Sequence, residues 1–298
     1  MQAVKILAVL FFFVGLTYYG VEPYAHHVMH PEVTPPDFGY GDLPKMNTKG
    51  DATRGKDLVV ANCAGCHSIK SAAIPVPVTS EDIAKQYGVE GVAKFGEDKL
   101  KGYYQANSFG VVPLDLSNAG AMYDENFLAN FIKDPAKATE FPGIAMPALG
   151  LDDATIADMV AYFKTIAHKD ISPKETTEQA CGRCHNIRYA KIEATTPKDV
   201  LKKYLGSTPP DLSQVIKSGG EHYLEGFINR PQKLLPGTKM PRVGLTRESQ
   251  DKVITYLEQV GDPSKETRGD LGMKVLIYLV ILSIMTYLWK EKEFRQVH

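Results

Sequence analysis

Apolar residues fall along this chain in three regimes. Residues 3–21 (AVKILAVLFFFVGLTYYGV) and 271–289 (LGMKVLIYLVILSIMTYLW) are nearly continuous apolar runs, each interrupted by a single lysine. Either run is long enough to cross a hydrocarbon layer of about 30 Å as a helix. Between them, apolar positions recur at helical spacing in shorter stretches. These predict amphipathic helices over 54–62, 154–167 and 248–260. Further helices are expected over 80–87 and 96–105, the first opened by Ser80-Glu81-Asp82, with acids in the first turn. Residues 22–50, rich in proline and histidine, read as an extended connector. The pattern as a whole predicts an all-α chain.

An internal repeat organises the middle. Pro113-Leu114-Asp115-Leu116-Ser117 returns as Pro209-Pro210-Asp211-Leu212-Ser213. Phe127-Leu128, Phe131-Ile132 and Pro135 return in order as Tyr223-Leu224, Phe227-Ile228 and Pro231. Pro142-Gly143-Ile144-Ala145-Met146-Pro147 returns as Pro236-Gly237-Thr238-Lys239-Met240-Pro241, and an amphipathic helix follows each copy. The kept order means two copies of one fold. Domain one carries an insertion between His67 and Pro113, and the leading helix of domain two looks short and poorly formed. The expected organisation is an N-terminal transmembrane anchor (1–21), a linker (22–50), domain one (51–168), domain two (169–261), a tether (262–270), a C-terminal transmembrane helix (271–289) and a tail (290–298).

The flanks of the apolar runs set a topology. Lys274 can snorkel, Tyr287 and Trp289 suit an aromatic belt, and Lys290, Lys292 and Arg295 place the C-terminus in the cytoplasm by the positive-inside rule. No clear small-x-small cleavage site follows the first run, so a retained anchor is expected rather than a removed signal peptide. Both termini are then cytoplasmic and the two domains lie on the periplasmic side of a bacterial inner membrane. Over 298 residues the net charge is −1, with 44% hydrophobic and 23% charged residues. That balance argues against nucleic-acid binding and is otherwise ordinary for globular domains.

The four cysteines carry the chemistry. Cys63-Ala64-Gly65-Cys66-His67 and Cys181-Gly182-Arg183-Cys184-His185 use all of them. Cys-x-x-Cys-His is the attachment signature of c-type haem. Each thiol forms a thioether to a haem vinyl group, and the adjacent histidine is held beneath the iron. A structural zinc site would place its second cysteine pair within about 20 residues; here the pairs lie far apart and each has its own histidine. Two covalent haem c groups are therefore expected. Met146 and Met240, each in a stiff loop between a Pro-Gly turn and a following proline, are the candidate sixth ligands, since a thioether favours ferrous iron. Each proximal histidine needs an acceptor for its other ring N–H. The carbonyls of Leu114 and Pro210 are the candidates. With both irons six-coordinate, no open position is left for substrate, and no nucleophile–base pair or carboxylate dyad stands out.

On these motifs the chain resembles the class I cytochrome c family twice over, a fold of a few helices around haem. The wider arrangement resembles the dihaem cytochrome c subunit, the cytochrome c1 equivalent, of cytochrome bc complexes in epsilon-class proteobacteria. The likeness rests on the N-terminal run into Val21-Glu22-Pro23-Tyr24-Ala25-His26, the tandem domains and the C-terminal anchor. It implies a cytochrome b subunit and a Rieske iron-sulfur protein as partners within a dimeric complex, a soluble c-type cytochrome as acceptor, and a lipid membrane around the anchors. The alternatives are the dihaem subunit of a cbb3-type oxidase, against which the C-terminal run counts, a dihaem peroxidase-like enzyme, which needs one five-coordinate haem, and a free-standing membrane cytochrome.

Overall fold

The computed structural model describes residues 2–29, 35–74 and 109–297, and every regular element among them is helical. The helices expected over 80–87 and 96–105 lie outside the described residues. The chain opens with α1 (Gln2–Leu16), a π-helical turn (Thr17–Val21) and α2 (Glu22–Met29). The apolar pattern ends the first span at Val21 and makes residue 22 the start of an extended connector; instead the helix runs on to Met29. Pro23 has no N–H, and its ring conflicts with the carbonyl four residues earlier. In the π turn the Glu22 N–H reaches back five residues to the Thr17 carbonyl, which widens the coil where the proline enters.

The residues of the expected domain one, among those described, form α3 (Ala52–Cys63), α4 (Ala119–Met122), α5 (Glu125–Lys133), α6 (Pro135–Thr139) and α7 (Asp153–Ile166). Asp51 caps α3 by accepting from the Thr53 and Arg54 amides at 2.8 and 3.4 Å. Helix α3 crosses α7, and the crossing is close because Gly55 has no side chain. A Cβ there would sit 2.0 Å from the Asp158 carbonyl oxygen. One and two turns on, Val59 and Cys63 bury the same face against Ile156, Met159 and Val160. Asp158 fastens the crossing, accepting from the Asp51 amide at 2.6 Å and from the Arg54 guanidinium at 2.8 and 3.0 Å.

The residues of the expected domain two repeat this helix order with α8 (Pro173–Cys181), α9 (Lys198–Leu205), α10 (Val215–Asn229), α11 (Pro231–Leu234) and α12 (Arg247–Gly261). Helix α8 is shorter than α3, as expected, yet it is well formed. Ser172 caps it, Pro173 takes its first position, and the fully buried Thr176 and Thr177 hydroxyls donate back to the Ser172 and Pro173 carbonyls at 2.9 and 2.8 Å. A weak apolar stripe made the helix hard to read, because threonines fill the seam against α12.

The predicted tether is mostly helix. Only Asp262, Pro263 and Ser264 separate α12 from α13 (Lys265–Val297), which carries the C-terminal apolar run unbroken. Arg268 holds the Asp262 carboxylate through two contacts of 2.5 Å, and Lys265 pairs with Glu258 across the joint. Among the described residues two helices are apolar and long enough to cross a membrane, Lys5–Val28 and Lys265–Arg295, with none of their apolar residues buried in the protein.

The connector also departs from expectation beyond residue 35. It is a strap packed on both domains. The Tyr40 ring is fully buried against Phe127 of domain one, and its hydroxyl donates to the Leu245 carbonyl of domain two at 2.8 Å. Asn229 exchanges two hydrogen bonds with the Asp37 backbone at 3.1 and 3.2 Å, and Asn130 donates to the Pro44 carbonyl at 2.8 Å. Arg242 of domain two, with no exposed surface, forks onto Asp42 at 2.8 and 2.9 Å and donates to the Thr139 carbonyl of domain one through its amide.

Candidate haem sites

Each cysteine pentapeptide leaves the C-terminal end of a leading helix. Cys63 is the last residue of α3 and Cys181 the last of α8. The turn that follows is the same in both. The Cys66 and His67 amides donate to the Cys63 carbonyl at 3.1 and 2.9 Å; the Cys184 and His185 amides donate to that of Cys181 at 3.1 and 3.0 Å. Both cysteines of a pair and the histidine are thus delivered by one tight turn. None of the four is in a disulfide.

His67 Nδ1 lies 2.7 Å from the Leu114 carbonyl oxygen, and His185 Nδ1 lies 2.8 Å from that of Pro210. A carbonyl oxygen only accepts, so each Nδ1 carries the proton. Each Nε2 is left with its lone pair. Burial lowers the pKa of both imidazoles, more than the carbonyl contacts raise it. Both rings are therefore neutral at physiological pH, the state in which a histidine can ligate iron.

The loops bearing those carbonyls are clasped to the pentapeptides position by position. In domain one the Leu116 amide donates to the Ser68 carbonyl at 2.9 Å, the Lys70 amide to Asp115 at 3.3 Å, and the Ser71 amide to the Ser117 hydroxyl at 2.9 Å. In domain two the Leu212 amide donates to the Asn186 carbonyl at 2.9 Å, the Arg188 amide to Asp211 at 3.3 Å, and the Tyr189 amide to the Ser213 hydroxyl at 3.1 Å. Burial opposes ionisation of Asp115, but hydrogen bonds from Ser117 and Ser68 outweigh it and hold the carboxyl below the usual range; Ser213 and the Arg188 amide do the same for Asp211. The aspartate and serine of the repeated pentapeptide are thus clamps that fix the acceptor carbonyl beneath the histidine.

Met146 and Met240 lie half-buried in the loops between α6 and α7 and between α11 and α12. The first loop turns at Pro142-Gly143, where the Ile144 amide donates to the Phe141 carbonyl at 3.1 Å. In the second, the Gln232 side-chain amide donates to the Met240 carbonyl at 2.9 Å. The stacked pairs Phe127–Phe131 and Tyr223–Phe227 occupy equivalent faces of α5 and α10.

The donor set fits haem c. Each site offers two thiols on one turn, a neutral imidazole with one free nitrogen, and an apolar wall; burial pushes the Cys63 and Cys181 thiols up to about 12. Such water-poor surroundings suit a large macrocycle. Pattern reading missed the residues that join the sites: Thr196, whose hydroxyl accepts from the Val112 amide at 3.2 Å, and Tyr204, packed on Phe141. Their only sequence signal is an aromatic on the apolar side of α9.

These features define a haem-binding electron-transport protein of the c-type class. Residues 52–167 match the Cytochrome c family, so this segment is a cytochrome c domain and implies covalently bound haem c. The chain is 29% identical over 137 residues to a cytochrome c of Tetrahymena pyriformis, covering 46% of this chain and 96% of that protein. It is 25% identical over 149 residues to the ammonia monooxygenase gamma subunit of Nitrosomonas europaea (strain ATCC 19718 / CIP 103999 / KCTC 2705 / NBRC 14298), covering 36% of this chain and 62% of that protein. A solved structure described as a hyperthermophilic respiratory Complex III aligns over 98% of this chain and 99% of its own at 20% identity, with a TM-score of 0.34.

Proposed function

We propose that the chain is a membrane-anchored dihaem cytochrome c that passes electrons from a Rieske iron-sulfur protein to a soluble periplasmic c-type cytochrome, as a subunit of a quinol:cytochrome c oxidoreductase. The observation that carries the dihaem reading is the duplicated clasp, in which His67 on Leu114 and His185 on Pro210 share one pattern of hydrogen bonds. Bound haem supplies a one-electron iron couple at each site. The chain does the rest. Cys63 and Cys66, and Cys181 and Cys184, hold the group covalently. His67 and His185 would present Nε2 to the iron, and Met146 and Met240 would be its other protein ligands, which would leave no position for substrate. The two apolar helices hold both domains at the periplasmic face of the inner membrane, beside a cytochrome b subunit and in a dimeric complex. The Val21–His26 run, the tandem domains and the C-terminal anchor support the choice of complex.

Purification from the native membrane in mild detergent tests the assignment. Co-purification of a b-type haem spectrum and a Rieske iron-sulfur EPR signal is expected. A copper-containing, oxygen-consuming complex would move the subunit to an oxidase and overturn it.

A further inference from the structure

The two sites are not held alike. In domain two the methionine loop is supported from within, by Gln232, and Leu235, the counterpart of Phe141, is 51% exposed. In domain one the counterpart face is covered by the other domain. Phe141 is buried in a cluster with Leu201 and Leu205 of α9, against which Ile144, Cys184 and Tyr204 also pack. The Tyr204 ring meets Phe141 edge-on at 5.8 Å and stacks on Phe109 at 6.3 Å. Burial raises the Tyr204 pKa, and the Ala145 backbone, one residue before Met146, works against that rise.

Helix α9 is suited to this. Leu201 and Leu205 are one turn apart and buried, Tyr204 lies on the same side, and Lys202 and Lys203 face solvent. The turn at Phe141–Ile144 then fixes the direction in which Ala145 and Met146 leave it. Tyr204 thus meets Phe141 at the start of that turn, and the cluster its helix shares with Phe141 also takes Ile144 at the end of the turn and Cys184 of the second site.

We propose that Tyr204 is a positioning residue of the first haem site: domain two, through Tyr204, holds the Met146 loop of domain one against iron, so the first site is complete only when the second domain is docked. This rests on the reading of Met146 as an iron ligand. Removing the ring frees the loop and lets the sulfur leave. That destabilises ferrous iron and lowers the potential of one haem and not the other, because a thioether opposite histidine raises the potential. A purely structural role for Tyr204 would lower stability without singling out one haem.

The test uses the full-length holoprotein, a redox titration resolved into its two components, and the long-wavelength ferric band of methionine-ligated haem. Met146→Leu and Met240→Leu identify the component belonging to each site. Tyr204→Leu is expected to lower the potential of the Met146 component and remove its share of the band, leaving the Met240 component as in the wild type. Tyr204→Phe, which keeps the ring and its packing on Phe141 and Phe109, is expected to keep the band and hold the Met146 component close to its wild-type potential. A Tyr204→Leu protein that titrates like the wild type, or that shifts the Met240 component, overturns the proposal. If Met146→Leu leaves the band and both potentials unchanged, the ligand reading itself fails, whatever Tyr204 does.

Discussion

Replacing Asp42 by alanine is expected to destabilise the folded protein by about 1–3 kcal/mol, the range for leaving a buried donor group without its partner; Asp42 itself is partly exposed to solvent, with 30% of its side chain accessible. Arg242 has no exposed surface, and its guanidinium is held by Asp42 at 2.8 and 2.9 Å, by the Asn229 carbonyl at 3.0 Å and over the Tyr40 ring at 4.6 Å. Without Asp42 the charge stays buried and loses its counter-ion. Arg230, which reaches Asp42 at 3.7 Å and Glu140 at 2.7 Å, loses part of its setting too. Because the strap, α5 and the 240–246 loop share this cluster, the loss reaches both domains. Chemical denaturation of Asp42→Ala at neutral pH measures it, and a midpoint equal to that of the wild type would refute it. Burial opposes ionisation of Asp42, but hydrogen bonds and charge from Arg242, with the charge of Arg230, outweigh it and hold its folded pKa below the ordinary value. A lowered folded pKa means that the contribution is fully present above the unfolded carboxylate pKa of about 3.9 and is lost as pH falls below it. The wild-type advantage over Asp42→Ala should therefore be flat over about pH 6–8, well above that window, and shrink in acid.

The second large effect is selective. His67→Ala should abolish the normal low-spin spectrum of one haem and leave the other, and His185→Ala should do the reverse. In each ring the Nδ1 proton is committed to a carbonyl, at 2.7 Å to Leu114 and 2.8 Å to Pro210, so Nε2 is the sole nitrogen open to iron. No alanine replaces that ligand. The clasp around Asp115 and Ser117 does not depend on the imidazole and should keep the fold. EPR of each ferric variant checks this: one low-spin signal lost per substitution is expected, and both signals surviving in either variant would contradict it.

The contacts of His67 with Leu114 and of His185 with Pro210 were legible because their determinants are local. The cysteines and histidine of each pentapeptide share one helix-ending turn, and Leu114 and Pro210 sit inside a five-residue motif whose aspartate and serine act on neighbouring amides. The long apolar runs were legible for the same reason, though the helix through Pro23 needed a π turn that apolar periodicity does not encode. The strap was not legible. Tyr40, Asp42 and Pro44 lie in an irregular stretch, and what ties them down is contact with Phe127, Asn130, Arg242 and Leu245, far along the chain. Arg242, between Pro241 and Val243, reads as a loop cation until its carboxylate partner is found. Tyr204 reads as one more apolar position on an amphipathic helix; only the folded chain shows that it packs on Phe141, far away in sequence. Thr176 and Thr177 hid a helix seam behind hydroxyls that bond back to their own helix.

The most direct measurement of the central claim is the ratio of covalently bound haem to polypeptide in the purified chain, by pyridine haemochrome absorbance against quantitative amino-acid analysis. Two tandem sites predict two haems per chain, falling to one when Cys181 and Cys184 are both replaced by alanine, and to one when Cys63 and Cys66 are. A ratio of one in the unaltered chain, unchanged by replacing Cys181 and Cys184, would show that the second clasp holds no haem and would contradict the account.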